Sequence, residues 1–214
     1  MTYESVKSYN KNIMEKNSTV MISAIILAAG ESKRMGQLKQ MMPLGDSTIL
    51  EQVIDNVIGS KVNEVIVVLG YKADEVKKTI MPKQVKIAFN SDYVQGMSTS
   101  IVAGIKMTDR NAGGLMIVLG DQPFIDSKTI DDLITTFSIG NKGIVLPVFQ
   151  GRRGNPVIFS AKYKNELLSL QGDIGGRDIV NRNPDDVLEV TVDCEGVLTD
   201  IDTPESYNLR LEKE

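Results

Sequence analysis

The chain has 214 residues, 42% of them apolar and 24% charged, enough for a sizeable packed core and too apolar for wholesale disorder. Lys and Arg number 24 against 28 Asp and Glu, a net charge of −4, so the broad basic footprint of a nucleic-acid binder is missing. There is no histidine, which removes every histidine base, histidine metal ligand and phosphohistidine carrier, and the lone Cys194 excludes an intramolecular disulfide or a thiolate zinc cluster.

Residues 1–20 are polar and rich in Lys, Asn and Ser, without the apolar centre of a signal peptide; they read as an extension ahead of one domain over 21–214. Met21 opens the first apolar run, and 22–27 is the first predicted strand. Ile49, Val53, Ile54, Val57 and Ile58 repeat at helical spacing. Strands are predicted over 65–69 and 85–89 with a helix over 74–80 between them, and a helix over 98–107 starts at Ser98 or a neighbour as N-cap. A strand over 115–119 is followed by Ile130, Leu133, Ile134 and Phe137 on one helical stripe. Strands over 144–149 and 156–159, a helix around 162–170, a strand over 187–192 and a helix from Pro204 complete the chain. The strands are continuous Val/Ile/Leu runs, the pattern of a parallel sheet covered on both faces, so the expected fold is α/β in three layers around a mostly parallel sheet. The Gly- and Arg-dense stretch 140–184 is expected to form a smaller lobe over that sheet. No run is long enough for a membrane span, and a cytoplasmic protein is expected, with neither nucleic acid nor membrane as partner.

Ligands of such sheets bind beyond the carboxyl ends of the strands. The turn after the first strand reads Leu27-Ala28-Ala29-Gly30, small residues that let backbone N–H groups approach and cradle phosphate, with Arg34 and Lys39 as counter-charge. It is neither a GxGxxG nor a GxxxxGK[ST] loop. Asp121 follows the fourth long strand, where a carboxylate can point into the crevice. Asp200 and Asp202 are two apart in a stretch that reads as extended, so both are expected on one side; either could instead cap the last helix, a task Thr203 could also take. Carboxylates from two segments suit Mg²⁺ or Mn²⁺, which complete their shells with phosphate oxygens and water; Asp121 and one of Asp200 and Asp202 are the candidates. Asn90, Ser98, Thr99 and Ser100 offer neutral hydrogen bonds near a helix N-terminus. Arg152, Arg153 and Arg177 lie in Gly-flanked loops, where a guanidinium can clamp a phosphate or a pterin-like carbonyl. Tyr71, Tyr93 and Phe149 are read as packing residues that could also line a base pocket.

Leu27-Ala-Ala-Gly followed by Arg34-Met-Gly-x-x-Lys39 resembles the signature of the molybdenum cofactor cytidylyltransferases, within the MobA-like NTP transferases. Asn90 with Gly96-Met-Ser-Thr-Ser100, Leu119-Gly-Asp-Gln-Pro123, Gly151-Arg-Arg-Gly-Asn-Pro156, Gly172-Asp-Ile-Gly-Gly-Arg177 and Asp200-Ile-Asp-Thr-Pro204 are similar to the later blocks, in order, across nearly all of 22–207. The resemblance implies a Rossmann-like nucleotidyltransferase fold and transfer of CMP from CTP to the terminal phosphate of molybdopterin cofactor, releasing pyrophosphate, with Mg²⁺ (Mn²⁺ as substitute). A molybdenum hydroxylase is the implied acceptor of the product. It also implies Arg34, Lys39 and Asp121 as catalytic, and Leu27, Ala28, Ala29, Gly30, Lys39, Asn90, Ser98 and Ser100 as nucleotide-binding. Arg152, Arg153, Asn155, Asp173 and Arg177 would bind the second substrate, and Asp121, Asp200 and Asp202 the metal. Ala29 and Leu38 depart from the Leu-Ala-Gly-Gly and Asp-before-Lys pattern of the related guanylyltransferases, and Gly176 stands where Ala is common. The alternatives are a GTP-using enzyme, a sugar- or polyol-phosphate nucleotidyltransferase, and a non-catalytic carrier of the cofactor. The absence of histidine fits, because a phosphate monoester is already anionic near pH 7 and needs no general base.

Overall fold

The structure, a computed structural model, describes residues 20–211; of the polar extension over 1–20, all but Val20 lies outside the described residues. The strands are β1 (Ile22–Ala28), β2 (Pro43–Leu44), β3 (Ser47–Thr48), β4 (Glu64–Leu69), β5 (Lys86–Phe89), β6 (Gly114–Leu119), β7 (Ile144–Phe149), β8 (Arg152–Arg153), β9 (Val157–Ser160) and β10 (Val187–Thr191). The helices are α1 (Ile49–Ile58), α2 (Ala73–Ile80), α3 (Met97–Met107), α4 (Ser127–Ile139), α5 (Lys164–Leu168), α6 (Arg177–Arg182) and α7 (Pro204–Leu211). The main sheet runs β10-β7-β9-β6-β1-β4-β5, with β8 hairpinned onto β7.

β1 is central because almost every side chain in it is buried, which only a strand covered on both faces can tolerate. It pairs in parallel with β4 and β6, in the register Ile25↔Ile66 and Ile25↔Ile117. Alternation then sorts its residues between two cores. Ile22, Ala24 and Ile26 pack with Leu50, Val53 and Ile54 of α1 and Ile130, Leu133 and Ile134 of α4. Ile25 packs on the other face with Ile101 and Ile105 of α3, Leu167 of α5 and Ile179 of α6. The expected three layers are present. The sheet is mostly parallel, as expected; the exceptions are β9, antiparallel between β6 and β7, and β8, antiparallel to β7. One expectation is corrected. The stretch 140–184 is not a lobe over the sheet: β7 and β9 are strands within it, and α5 and α6 join the α3 face.

Local chemistry explains the helix starts. Thr48 and Glu51 form a reciprocal capping box on α1, and Asp126 accepts from Thr129 N at the start of α4. α3 departs from its expected cap. Its N-cap is Gly96, at φ 112°, and Ser98 lies inside the helix with its hydroxyl buried. Met97 N instead donates to Asp173 Oδ1 at 3.3 Å. A small third core of Met35, Met42, Leu44, Ile49 and Ile201, joined by Phe124 and Tyr207, ties the loop after β1 to the segment that enters α7. That core has no counterpart in the periodicity of the sequence, and it assembles the site. Among the described residues no helix is long and apolar enough to cross a membrane.

Candidate active site

The loop after β1 is braced from within. Gln40 is buried, and its amide nitrogen donates to Ala28 O (3.3 Å) and Gly30 O (3.1 Å). Its carbonyl accepts from Ser32 Oγ (3.1 Å), which also accepts from Lys39 N (3.2 Å). Ser32 is thereby held at φ 53°, a left-handed conformation that costs a non-glycine residue about 1 kcal/mol. The carbonyls of the Ala28-Ala29-Gly30 turn face protein donors, Tyr71 N taking that of Ala29 at 3.0 Å. Neither Gln40 nor Ser32 was singled out in the sequence; only their place in the loop between Gly30 and Lys39 marked them.

Three of the expected residues converge. Lys39 Nζ donates to Asp121 Oδ2 and to Asp202 Oδ1, each at 2.6 Å, with the lysine side chain only 14% exposed. Asp202 Oδ2 accepts from Arg34 Nη2 at 3.0 Å. The backbone links the same segments, because Ile201 N donates to Asp121 O at 2.9 Å. Burial works against the charge on Lys39, but Asp121 and Asp202 outweigh it and hold the ammonium above its ordinary pKa. Burial opposes Asp202 too, and Lys39 and Arg34 outweigh it, so that carboxyl stays below its usual range. Asp121 Oδ1 is buried without a hydrogen-bond partner.

Asp200 and Asp202 do not face one way. Ile201 is fully buried and Asp202 N donates to Ser206 Oγ, so the chain is already turning into α7, whose cap is Thr203 Oγ1 accepting from Ser206 N. Asp202 faces the cleft after β1; Asp200 accepts from Gln122 Nε2 at 2.5 Å and faces a separate 410 Å³ hollow. Withdrawal from water and the charges of Asp121 and Asp202 raise the pKa of Asp200.

Two clefts adjoin. One, of about 500 Å³, is lined by Gly30, Arg34, Lys39, Gly96, Asp173 and Asp202. The other, of about 670 Å³, has an apolar floor of Ile117, Leu119, Leu146 and Phe159 and a polar rim of Arg153, Asn155, Asp173 and Arg177. Asp173 borders both. Arg152 is not with them: neighbours in a strand point to opposite faces, so Arg152 enters the hollow beside Asp200 while Arg153 borders the second cleft and pairs with Glu189 (2.7 Å). Asn90 and Ser98 line a different, 890 Å³ groove between β5 and α3. Asn90 is buried and donates to Thr99 Oγ1 and Ser100 Oγ, both at 2.9 Å, while accepting from Asp92 N. It laces β5 to α3. Tyr71 and Tyr93 meet edge to face, 6.3 Å between centroids, and Phe149 packs against the core.

The donor set fits a small hard cation. Among the described residues no group of three or more His, Cys, Asp or Glu is drawn together for a metal. Asp121 and Asp202 are nonetheless bridged by one cation, and Asp121 Oδ1 is buried with a free lone pair. Two carboxylates suit Mg²⁺ or Mn²⁺ sharing its remaining positions with phosphate and water.

The family model of the MobA-like NTP transferase domain matches residues 24–187. The chain is 30% identical over 187 residues to the molybdenum cofactor cytidylyltransferase of Escherichia coli K12, covering 87% of this chain and 93% of that protein. It is 27% identical over 195 residues to the nicotine blue oxidoreductase of Paenarthrobacter nicotinovorans, covering 86% and 93%. Among solved structures it resembles Rv0371c of Mycobacterium tuberculosis H37Rv in complex with manganese, at a TM-score of 0.78 and 27% identity over 91% of this chain and 100% of that one. The chain belongs to the MobA-like NTP transferase family and is an enzyme of the nucleotidyltransferase class.

Proposed function

We propose that the protein transfers CMP from CTP to the terminal phosphate of molybdopterin cofactor and releases pyrophosphate, supplying the product to a molybdenum hydroxylase. The observation that carries this reading is the pair of adjoining clefts. One brings Lys33, Arg34 and Lys39 together with Glu31, Asp173 and Asp202 beside Gly30; the other is apolar-floored and arginine-rimmed; Asp173 borders both. The triphosphate occupies the first, against Gly30, Arg34 and Lys39, and the pterin lies on Leu119 and Phe159 with Arg153, Asn155 and Arg177 around its phosphate. The substrate phosphate is its own nucleophile, so the protein contributes alignment and charge neutralisation. Asp121 and Asp202 would hold Mg²⁺ or Mn²⁺, which when bound neutralises the triphosphate and the departing pyrophosphate. Arg34 and Lys39 stabilise the charge that builds on the same oxygens.

Cytosine follows from the resemblance, through Ala29 and Leu38, and from likeness to a cytidylyltransferase. Leu38 is buried in the core, so it acts by shaping the loop and not by touching the base. The carboxylates bridged by Lys39 count against a mere carrier, which has no use for them. The test is pyrophosphate release with each NTP, with and without molybdopterin cofactor. Release with CTP that depends on the cofactor, at least tenfold above GTP in kcat/KM, is the expected result. A preference for GTP moves the chain to the guanylyl branch, release with a sugar phosphate alone replaces the acceptor, and cofactor binding without turnover leaves a carrier.

A further inference from the structure

Lys39 is placed as a phosphate-binding cation, and its ammonium is also paired with two carboxylates. It stands between Asp121 and Asp202, 2.6 Å from an oxygen of each, with its side chain 14% exposed. A divalent ion bridging these same two oxygens would occupy that space. Two cations cannot share it, by volume or by charge. Lys39 also lines the 500 Å³ cleft with Arg34 and Gly30, so its flexible four-carbon stem has a second place to go, provided an anion is there to receive it. Without one, leaving the carboxylates strands a charge in a sheltered pocket, which is costly. Arg34 Nη2 holds the other oxygen of Asp202 at 3.0 Å.

We propose that Lys39 is an internal stand-in for the metal: it keeps Asp121 and Asp202 paired in the free protein, blocks a bare divalent ion, and yields the position only when a polyphosphate offers its ammonium a new partner. This inference rests on the metal-dependent nucleotidyl-transfer reading of the site. Its consequence is that the ion enters with the nucleotide and not before it. The protein would then hold no tightly bound metal at rest, and metal and nucleotide affinities would be coupled through one side chain.

The test is Mn²⁺ binding to the nucleotide-free protein, followed by the free-ion electron spin resonance signal. Lys39→Met keeps the stem and removes the charge, and is expected to bind Mn²⁺ at least tenfold more tightly than wild type, while its affinity for CTP falls. Equal or weaker Mn²⁺ binding by Lys39→Met overturns the proposal. Asp121→Asn measured with saturating CTP separates the two failures: if it binds Mn²⁺ together with CTP as wild type does, the ion is not held here and the reading of the metal site falls as well. If Asp121→Asn weakens that binding but Lys39→Met gains nothing without nucleotide, only the stand-in role is lost. Should Lys39→Met not fold, wild type answers the question through acetylation of Lys39 read by mass spectrometry. Its labelling rate is expected to stay at the free-protein value with Mn²⁺ alone and to change severalfold only when Mn²⁺ and CTP are added together; a severalfold rise with Mn²⁺ alone, or no change with both, overturns the proposal.

Discussion

Asp121 shows how one side chain can be poised for charge without serving the fold. One oxygen is held by Lys39 and the other is buried with nothing to bind. Asp121→Asn keeps the shape and leaves Lys39 its bond to Asp202, so stability should shift by less than about 1 kcal/mol, as for other substitutions with no packing role. Turnover should fall at least a hundredfold, the scale of losing a transition-state charge contact worth about 3 kcal/mol. A thermal melt beside a pyrophosphate-release assay measures both. Asn90 is the opposite case. The motif suggests a nucleotide contact, but its amide group is spent on Thr99, Ser100 and Asp92 N. Asn90→Ala takes the partner from the buried Ser100 hydroxyl and should cost about 1–3 kcal/mol of stability. The KM for CTP should change less than threefold in steady-state assays below the melting transition; a tenfold rise would make Asn90 a ligand.

At the scale of elements, the join between α3 and the stretch 172–176 is tight. A Cβ on Gly96 would lie 2.4 Å from the carbonyl carbon of Gly172, and φ 112° is itself unfavourable for any other residue. Gly96→Ala should push that loop off the helix, costing about 1–3 kcal/mol of stability. It should raise the KM for the second substrate at least tenfold while CTP binding changes less, because Asp173 borders both clefts but Arg177 only the second. Separate titrations of the two substrates check this.

The elements that were legible in the sequence are those whose burial is total. β1, β4, β6 and β7 are Val/Ile/Leu runs because both faces are covered, and α4 shows its stripe because one face is. Strand direction has no such signature. β9 is four residues long and reads the same whether it runs with its neighbours or against them, so its antiparallel course was hidden. The β2–β3 hairpin, two residues a side, is too short to show a period. At the site, Asp121 was legible because it lies close beyond the carboxyl end of a buried strand, and Lys39 through its spacing from Arg34 and Gly36. The parting of Asp200 from Asp202, and of Arg152 from Arg153, was not. Each depends on a backbone turn or pleat that residue identity does not report.

Across the whole molecule, one charged knot ties the start of the edge strand β10 to the segment after β9. Asp186, just before β10, accepts on Oδ2 from Tyr163 Oη at 2.5 Å and pairs there with Lys162 Nζ at 2.7 Å. Burial alone would raise the carboxyl, but Lys162 and Tyr163 bring it from its ordinary 3.8 down to about 2. Burial and the bond to Asp186 push the Tyr163 hydroxyl well above its usual value of 10.0. A depressed carboxyl stabilises the fold above its unfolded pKa, and that contribution is lost as pH falls from about 4 through about 2. A raised phenol acts in the other sense, its contribution present below about pH 10 and lost in stronger base. Asp186→Asn should lower stability by about 1 kcal/mol near neutrality, less than the full linkage value because the pair is partly wetted. Melting temperatures from pH 7 to pH 2 should show the two proteins converging at the acid end.

The antiparallel β9 has a further consequence for how such enzymes diversify. Because it is clamped on both edges, by β6 and β7, the chain leaves the sheet after Ser160 and returns only at β10, on the edge beyond β7. That excursion is anchored through α5 and α6, whose Leu167 and Ile179 are buried on the α3 face. It furnishes Asp173, Arg177 and Asn181 to one cleft and only Asp173 to the other. The excursion is therefore an exchangeable cartridge: evolution can rewrite the acceptor without reopening the machinery that handles the triphosphate. Grafting residues 171–182 from a relative with a different acceptor should carry that acceptor over, measured as kcat/KM on each, and leave the choice among CTP, GTP, ATP and UTP where it was.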